Sequence, residues 1–278
     1  MATQVMNLLM EALGQLRVQS TPKRVRALIG DAVAADTTHP MLVWEPGRGV
    51  PYYAVPVDDL RVQLIPTEDD RNTATADAQQ DDGGGGVKFV PPGNFRGHTT
   101  DGVEMTVVGL GPNLPGAAFL PLDIDLAGYA ILDFDAFDAW LEEDEAIIGH
   151  PRDPFHRIDV RRSSRHVKVS LDGVVLADST RPQLVFETPL PVRYYLPTED
   201  VRVGLVGPSA TSSACAYKGI ASYFTAQLPD REVPDIAWSY LSPLPDAIDL
   251  RGLMCFYNER VDIELDGQPL EQAVTRWS

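Results

Sequence analysis

Single-residue alternation of polar and apolar positions is the commonest pattern along this chain. It is clearest in His166-Val167-Lys168-Val169-Ser170-Leu171, the mark of a half-buried strand. Asp172-Gly173 follows as a hairpin turn, because glycine supplies the positive φ such turns need. Val174–Ala177, Gln183–Glu187, Val192–Leu196 and Val201–Val206 read as the next strands. Short strands with turn signals between them predict an all-β meander or barrel rather than alternating strands and helices. The exception is the N-terminus, where Met6, Leu8, Leu9, Met10, Leu13 and Leu16 roughly follow helical spacing and predict one short helix.

The pattern occurs twice. Val167–Tyr195 laid on Val25–Tyr53 without a gap gives 12 identities in 29 positions, among them Asp36/Asp178, Glu45/Glu187, Tyr52/Tyr194 and Tyr53/Tyr195. After one inserted residue, Leu60-Arg61-Val62 answers Val201-Arg202-Val203. Farther on, Asn94-Phe95-Arg96-Gly97 falls on Ala216-Tyr217-Lys218-Gly219, which sets Gly93 against Cys215 and Arg96 against Lys218. The expected fold class is all-β with minor helix, in two tandem irregular β-meander units. The expected divisions are an N-terminal helical segment (1–21), a divergent first unit (22–140), a linker (141–157) and a second unit (158–278). Residues 67–87, rich in Asp, Gly, Thr and Ala, bury too little apolar surface to offset ordering entropy and are expected to form a mobile insertion. Its four glycines lack the Lys-Ser/Thr continuation of a phosphate cradle.

Charge narrows the partners. A net charge of −17 and a pI near 4.6 argue against nucleic acid and anionic membrane, both of which reward Lys and Arg. With 44% hydrophobic residues the chain has enough apolar surface for a core. Two cysteines make neither a disulfide framework nor a four-cysteine zinc site. No apolar run approaches membrane-spanning length, and the N-terminus has no basic signal region, so a cytoplasmic protein is expected. A small-molecule ligand is the expected partner, and a homodimer is allowed. No cofactor is named by these residues.

The set Ser163-Ser164-Arg165-His166-Val167, Val175–Ser179, Glu187, Tyr194-Tyr195-Leu196-Pro197, Asp200-Val201, Cys215–Gly219 and Ala237-Trp238-Ser239-Tyr240 resembles the domain of unknown function 427 family. Glu142–Glu145 followed by His150–Arg157 resembles the junction of its tandem, two-copy bacterial members. The resemblance implies strand meanders closing into a pseudo-barrel, used twice, and implies little about reaction. Some classifications label the family nucleotidyltransferase-like, which would call for paired aspartates on a metal. Asp123/Asp125 and Asp133/Asp135 are the only close candidates, the two places with Asp-X-Asp spacing, and neither follows the Gly-Ser such a site needs.

Chemistry-bearing residues concentrate in the second unit. Cys215 and Lys218 stand three apart; a lysine beside a thiol favours the reactive thiolate, and a desolvated lysine can itself attack a carbonyl. Each also has an ordinary reading, as a small buried hydrophobe and a solvated charge. Glu187 closes an apolar strand and could act as a base or pair with Lys218. His166 at a strand start is the expected functional histidine. His150 and His156 sit in a proline-bound segment with poor metal spacing, so no metal is expected. Tyr194, Tyr195, Tyr217 and Trp238 are the candidate ligand-facing aromatics, with the core as the alternative place for Trp238. Neighbouring residues on a strand face opposite ways, so only one tyrosine of each pair can face the core. The expected function is an enzyme acting on an anionic or carbonyl metabolite, with a binding module and an interaction protein as alternatives.

Overall fold

The computed structural model describes residues 2–68, 89–202 and 204–275, so the expected insertion lies, beyond Glu68, outside the described residues. The chain divides into two compact units, Met1–Asp153 and Pro154–Ser278. The apolar N-terminal run forms α1 (Val5–Ala12). No helix among the described residues is long and apolar enough to cross a membrane.

In the first unit the strands are β1 (Arg17–Ser20), β2 (Val25–Ile29), β3 (Ala32–Thr37), β4 (Met41–Trp44), β5 (Tyr52–Pro56), β6 (Gln63–Pro66), β7 (Gly102–Val108), β8 (Leu114–Pro121), β9 (Tyr129–Leu132), β10 (Ala139–Glu142) and β11 (Glu145–Ile147). In the second they are β12 (Ile158–Arg162), β13 (Val167–Leu171), β14 (Val174–Ser179), β15 (Gln183–Glu187), β16 (Arg193–Leu196), β17 (Val206–Cys215), β18 (Gly219–Gln227), β19 (Glu232–Tyr240), β20 (Met254–Phe256), β21 (Asp262–Leu265) and β22 (Gln268–Pro269). The first unit has a seven-stranded sheet, β1-β4-β5-β9-β8-β7-β6, and a four-stranded one, β11-β10-β2-β3. The second unit has β12-β15-β16-β20-β19-β18-β17 and β14-β13-β21-β22. Adding eleven to each strand number turns one set into the other.

These sheets are open, and among the described residues none closes into the pseudo-barrel that the resemblance implied. Instead each unit buries its main core between its two sheets. In the second unit Val167 and Val169 of β13 meet Leu184, Tyr194, Leu196, Ala237 and Phe256 of the larger sheet. Alternation sends the neighbours Val185, Tyr195, Trp238 and Cys255 to the opposite face, where Ala247 and Leu250 cover them. The first unit repeats this, with Leu42, Tyr53 and Leu132 between the sheets and Val43, Tyr52 and Ile131 outside.

Three expectations change. The strand expected over Val201–Val206 shrinks to one bridge, Ala177 to Val201, and a turn in which Leu205 N bonds Arg202 O. The polar run Ser209–Ser213 lies inside ten-residue β17, where both faces are largely exposed and alternation gives no signal. The segment assigned to the linker supplies β11 to the first unit, through Leu141↔Ala146 and Trp140↔Ile147.

The ladders also locate the inserted residue. Leu42 pairs Tyr53, but its counterpart Leu184 pairs Tyr194. Tyr53 therefore corresponds to Tyr194 rather than Tyr195, and Tyr52 to Arg193. The extra residue sits in the loop before β5, and the Tyr-Tyr pair is turned over between the units.

Candidate functional site

Strand β15 ends in Glu187, which follows Val185 onto the outer face of the large sheet. Ile158 of β12 lies directly opposite Glu187, so His156, two residues earlier, is a diagonal neighbour on that face. The turn between β17 and β18 brings Tyr217 and Lys218 against them. Lys218 Nζ donates to Glu187 Oε2, and His156 Nε2 lies 3.0 Å from Glu187 Oε1. The imidazole stacks on Tyr217 with centroids 4.3 Å apart. Both members of the ion pair are only 8% exposed. Burial alone would raise the Glu187 carboxyl pKa. The His156 hydrogen bond and the Lys218 charge outweigh it and hold the group below the usual carboxylate range.

This geometry redistributes the roles expected from sequence. Glu187, Lys218 and Tyr217 are together, with Tyr195 on the same face, its hydroxyl accepting from Trp238 Nε1 at 2.9 Å. Tyr195 is fully buried, and burial pushes its phenol well up. Tyr194 faces the inter-sheet core. Lys218 is ion-paired with Glu187 and buried beside it. Cys215 is half-buried at the end of β17, paired with Gly219 in the ladder, and its thiol has no hydrogen-bond partner among the described residues. Burial pushes the other thiol, Cys255, up to about 12 despite the Arg193 and Lys218 charges. His166 does not join the cluster. It pairs with exposed Asp178 at 2.6 Å in the four-stranded sheet.

The histidine at the glutamate is His156, which sequence reasoning placed in a linker because of its flanking prolines. A signal was present: His156, Ile158 and Val160 share one parity, and the last two pack on the Tyr195 face. Neither aspartate pair forms a metal motif. Asp123 and Asp133 accept from the backbone N–H of Asp125 and Asp135, as caps of short 3-10 turns.

The first unit holds the same three chemical groups from different positions. Glu45 Oε2 accepts from Arg48 Nε and faces His98 Nδ1, each at 3.0 Å. Its Oε1 accepts from Thr99 N at 3.1 Å and the Thr100 hydroxyl at 2.8 Å. Pairing of Met105 with Ala118 and of Phe224 with Ala237 fixes the correspondence of β7 with β18. Counting back, His98 stands at the place of Tyr217 and Thr99 at that of Lys218. Arg96 is thus not the counterpart of Lys218; it pairs with Glu104 at 2.7 Å on the surface. Arg17↔Trp44 and Asp159↔Phe186 likewise set Gly14 at the place of His156. Around one fixed glutamate, the histidine and the cation each come from a different loop in the two units. The first cluster is closed, with Arg48 also donating to the carbonyls of Asn94, Phe95 and Gly97.

No curated protein matches the chain. Residues 159–267 match the family described as Domain of unknown function (DUF427), a span that covers β13 to β21 and all of this site except His156. The second unit is a member of that DUF427 family.

Proposed function

We propose that the second unit is an enzyme acting on a small molecule, with His156 as the proton-transferring group. An ionised carboxylate only accepts hydrogen bonds, so Nε2 facing Glu187 carries the proton, and neutral imidazole then offers Nδ1 as an acceptor. Nδ1 has no protein partner among the described residues, and the side chain is 18% exposed. Glu187 orients the ring and stabilises the imidazolium, Lys218 keeps Glu187 ionised, and Tyr217 supports the ring face. A carbonyl-bearing metabolite suits such a base, which would activate water or remove a proton beside the carbonyl. The oriented, half-open imidazole carries this reading.

The test is carbethoxylation by diethyl pyrocarbonate, mapped to His156 by peptide mass spectrometry, together with turnover of an activated ester such as p-nitrophenyl acetate. His156 should be modified in the folded protein, several-fold more slowly in Glu187→Gln, and His156→Asn should abolish ester turnover without unfolding the chain. An unreactive His156 would sink the proposal. The closed Glu45 cluster favours one competing reading, in which the trio only fastens a loop. In that case His156→Asn lowers stability and changes no reactivity.

A further inference from the structure

We infer that the outer edge of β12 is a two-fold interface with a second copy of this chain. The large sheet of the second unit ends at β12. Thr188 N donates to Arg157 O at 3.2 Å and Ser163 N to Pro182 O at 3.0 Å, so the odd-numbered residues carry the bonds to β15. The N–H and C=O groups of Ile158, Val160 and Arg162 therefore point away from the sheet. Among the described residues their one contact is the Arg161 guanidinium on the Val160 carbonyl, at 3.0 Å. A bare edge of this kind is a template for another strand.

The sequence of the edge selects its own copy. An antiparallel pair centred on Val160 joins Val160 to itself through two backbone bonds. It sets Asp159 against Arg161 of the partner subunit, and Arg161 against the partner's Asp159, at non-hydrogen-bonded positions where side chains lie closest. At present Asp159 is held by Arg157 at 2.9 Å and Arg161 at 2.6 Å, both largely exposed, so exchanging one arginine for its symmetry mate gives up little. The corresponding edge β1 reads Arg17-Val18-Gln19-Ser20 and has no acid to answer its arginine. Charge also permits contact here. Residues 154–278 contain 13 Lys and Arg against 16 Asp and Glu, a net −3, whereas residues 1–153 contain 10 against 24, a net −14.

The experiment is sedimentation velocity of the full chain over a concentration series, with circular dichroism melts to establish that each variant is folded. The wild type should approach twice its 30.4 kDa. Arg161→Asp sets like charges across the axis and should give the monomer. Adding Asp159→Arg to it restores complementarity and should bring the dimer back. Val160→Pro removes an outward N–H without touching the β15 ladder and should also give the monomer. A wild type that stays monomeric throughout, a dimer indifferent to these changes, or a charge-swapped double variant that stays monomeric would overturn the inference.

Discussion

Replacing Glu45 by Gln should destabilise the first unit by an amount that depends on pH. Burial alone would raise this carboxyl, but the hydrogen bond and charge of His98, the Thr100 hydroxyl and the Arg48 charge bring it from 4.5 to about 2. A depression of that size corresponds to about 3 kcal/mol, taken slightly down for solvent screening. Breaking a buried pair by removing one charge costs about 3–5 kcal/mol, and Gln falls at the low end because its oxygen still serves Thr99 and Thr100. A unit of this size loses about 3 °C per kcal/mol, so the calorimetric Tm of the first unit should fall by about 9 °C at pH 6. The folded pKa lies below the unfolded one. The contribution is therefore complete above about 4.5 and is lost as pH falls toward 2. At pH 3.5 about 2 kcal/mol should remain, narrowing the gap between wild type and variant to about 6 °C. A fall of less than about 3 °C at pH 6, or a gap that widens on acidification, would refute the argument.

Two further predictions concern the second unit. Arg193 and Glu259 form a buried two-pronged pair, both contacts 2.7 Å, so Glu259→Gln should cost about 3 kcal/mol in urea unfolding. Arg193→Met with Glu259→Leu together should cost less than that single change, since no charge is left unpaired. Gly219 holds φ +103°, and an added Cβ would lie 3.2 Å from the Ser242 carbonyl. Gly219→Ala should therefore destabilise by about 1–3 kcal/mol in the same assay and displace the adjoining Lys218 turn from Glu187.

The sequence by itself determined the fold class, the doubled strand plan and the correspondence of Glu45 with Glu187. Strand alternation and hairpin turns are local, and each reports its face through two or three neighbours. That is why β13 to β16 were legible almost residue by residue. The match of Glu45 with Glu187 held because no insertion separates Val25 from Glu45. Beyond it the ungapped match misassigned the tyrosines by one position, and the later match misassigned Arg96 by three. Similar residues attract an alignment, while only the ladders count positions.

The pairing of Lys218 with Glu187 was one of the readings the sequence offered, but only tertiary structure brought His156 to the glutamate. Lys218 comes from a turn 31 positions away and His156 from 31 positions before it. In the first unit the same chemistry comes from Arg48 and His98. A buried carboxylate needs compensating donors but does not dictate the loop that supplies them, so no fixed spacing exists for a motif to encode. Likewise, Cys215 and Lys218 are near in sequence, yet the lysine is drawn to Glu187 because a buried anion is the stronger attraction for an ammonium.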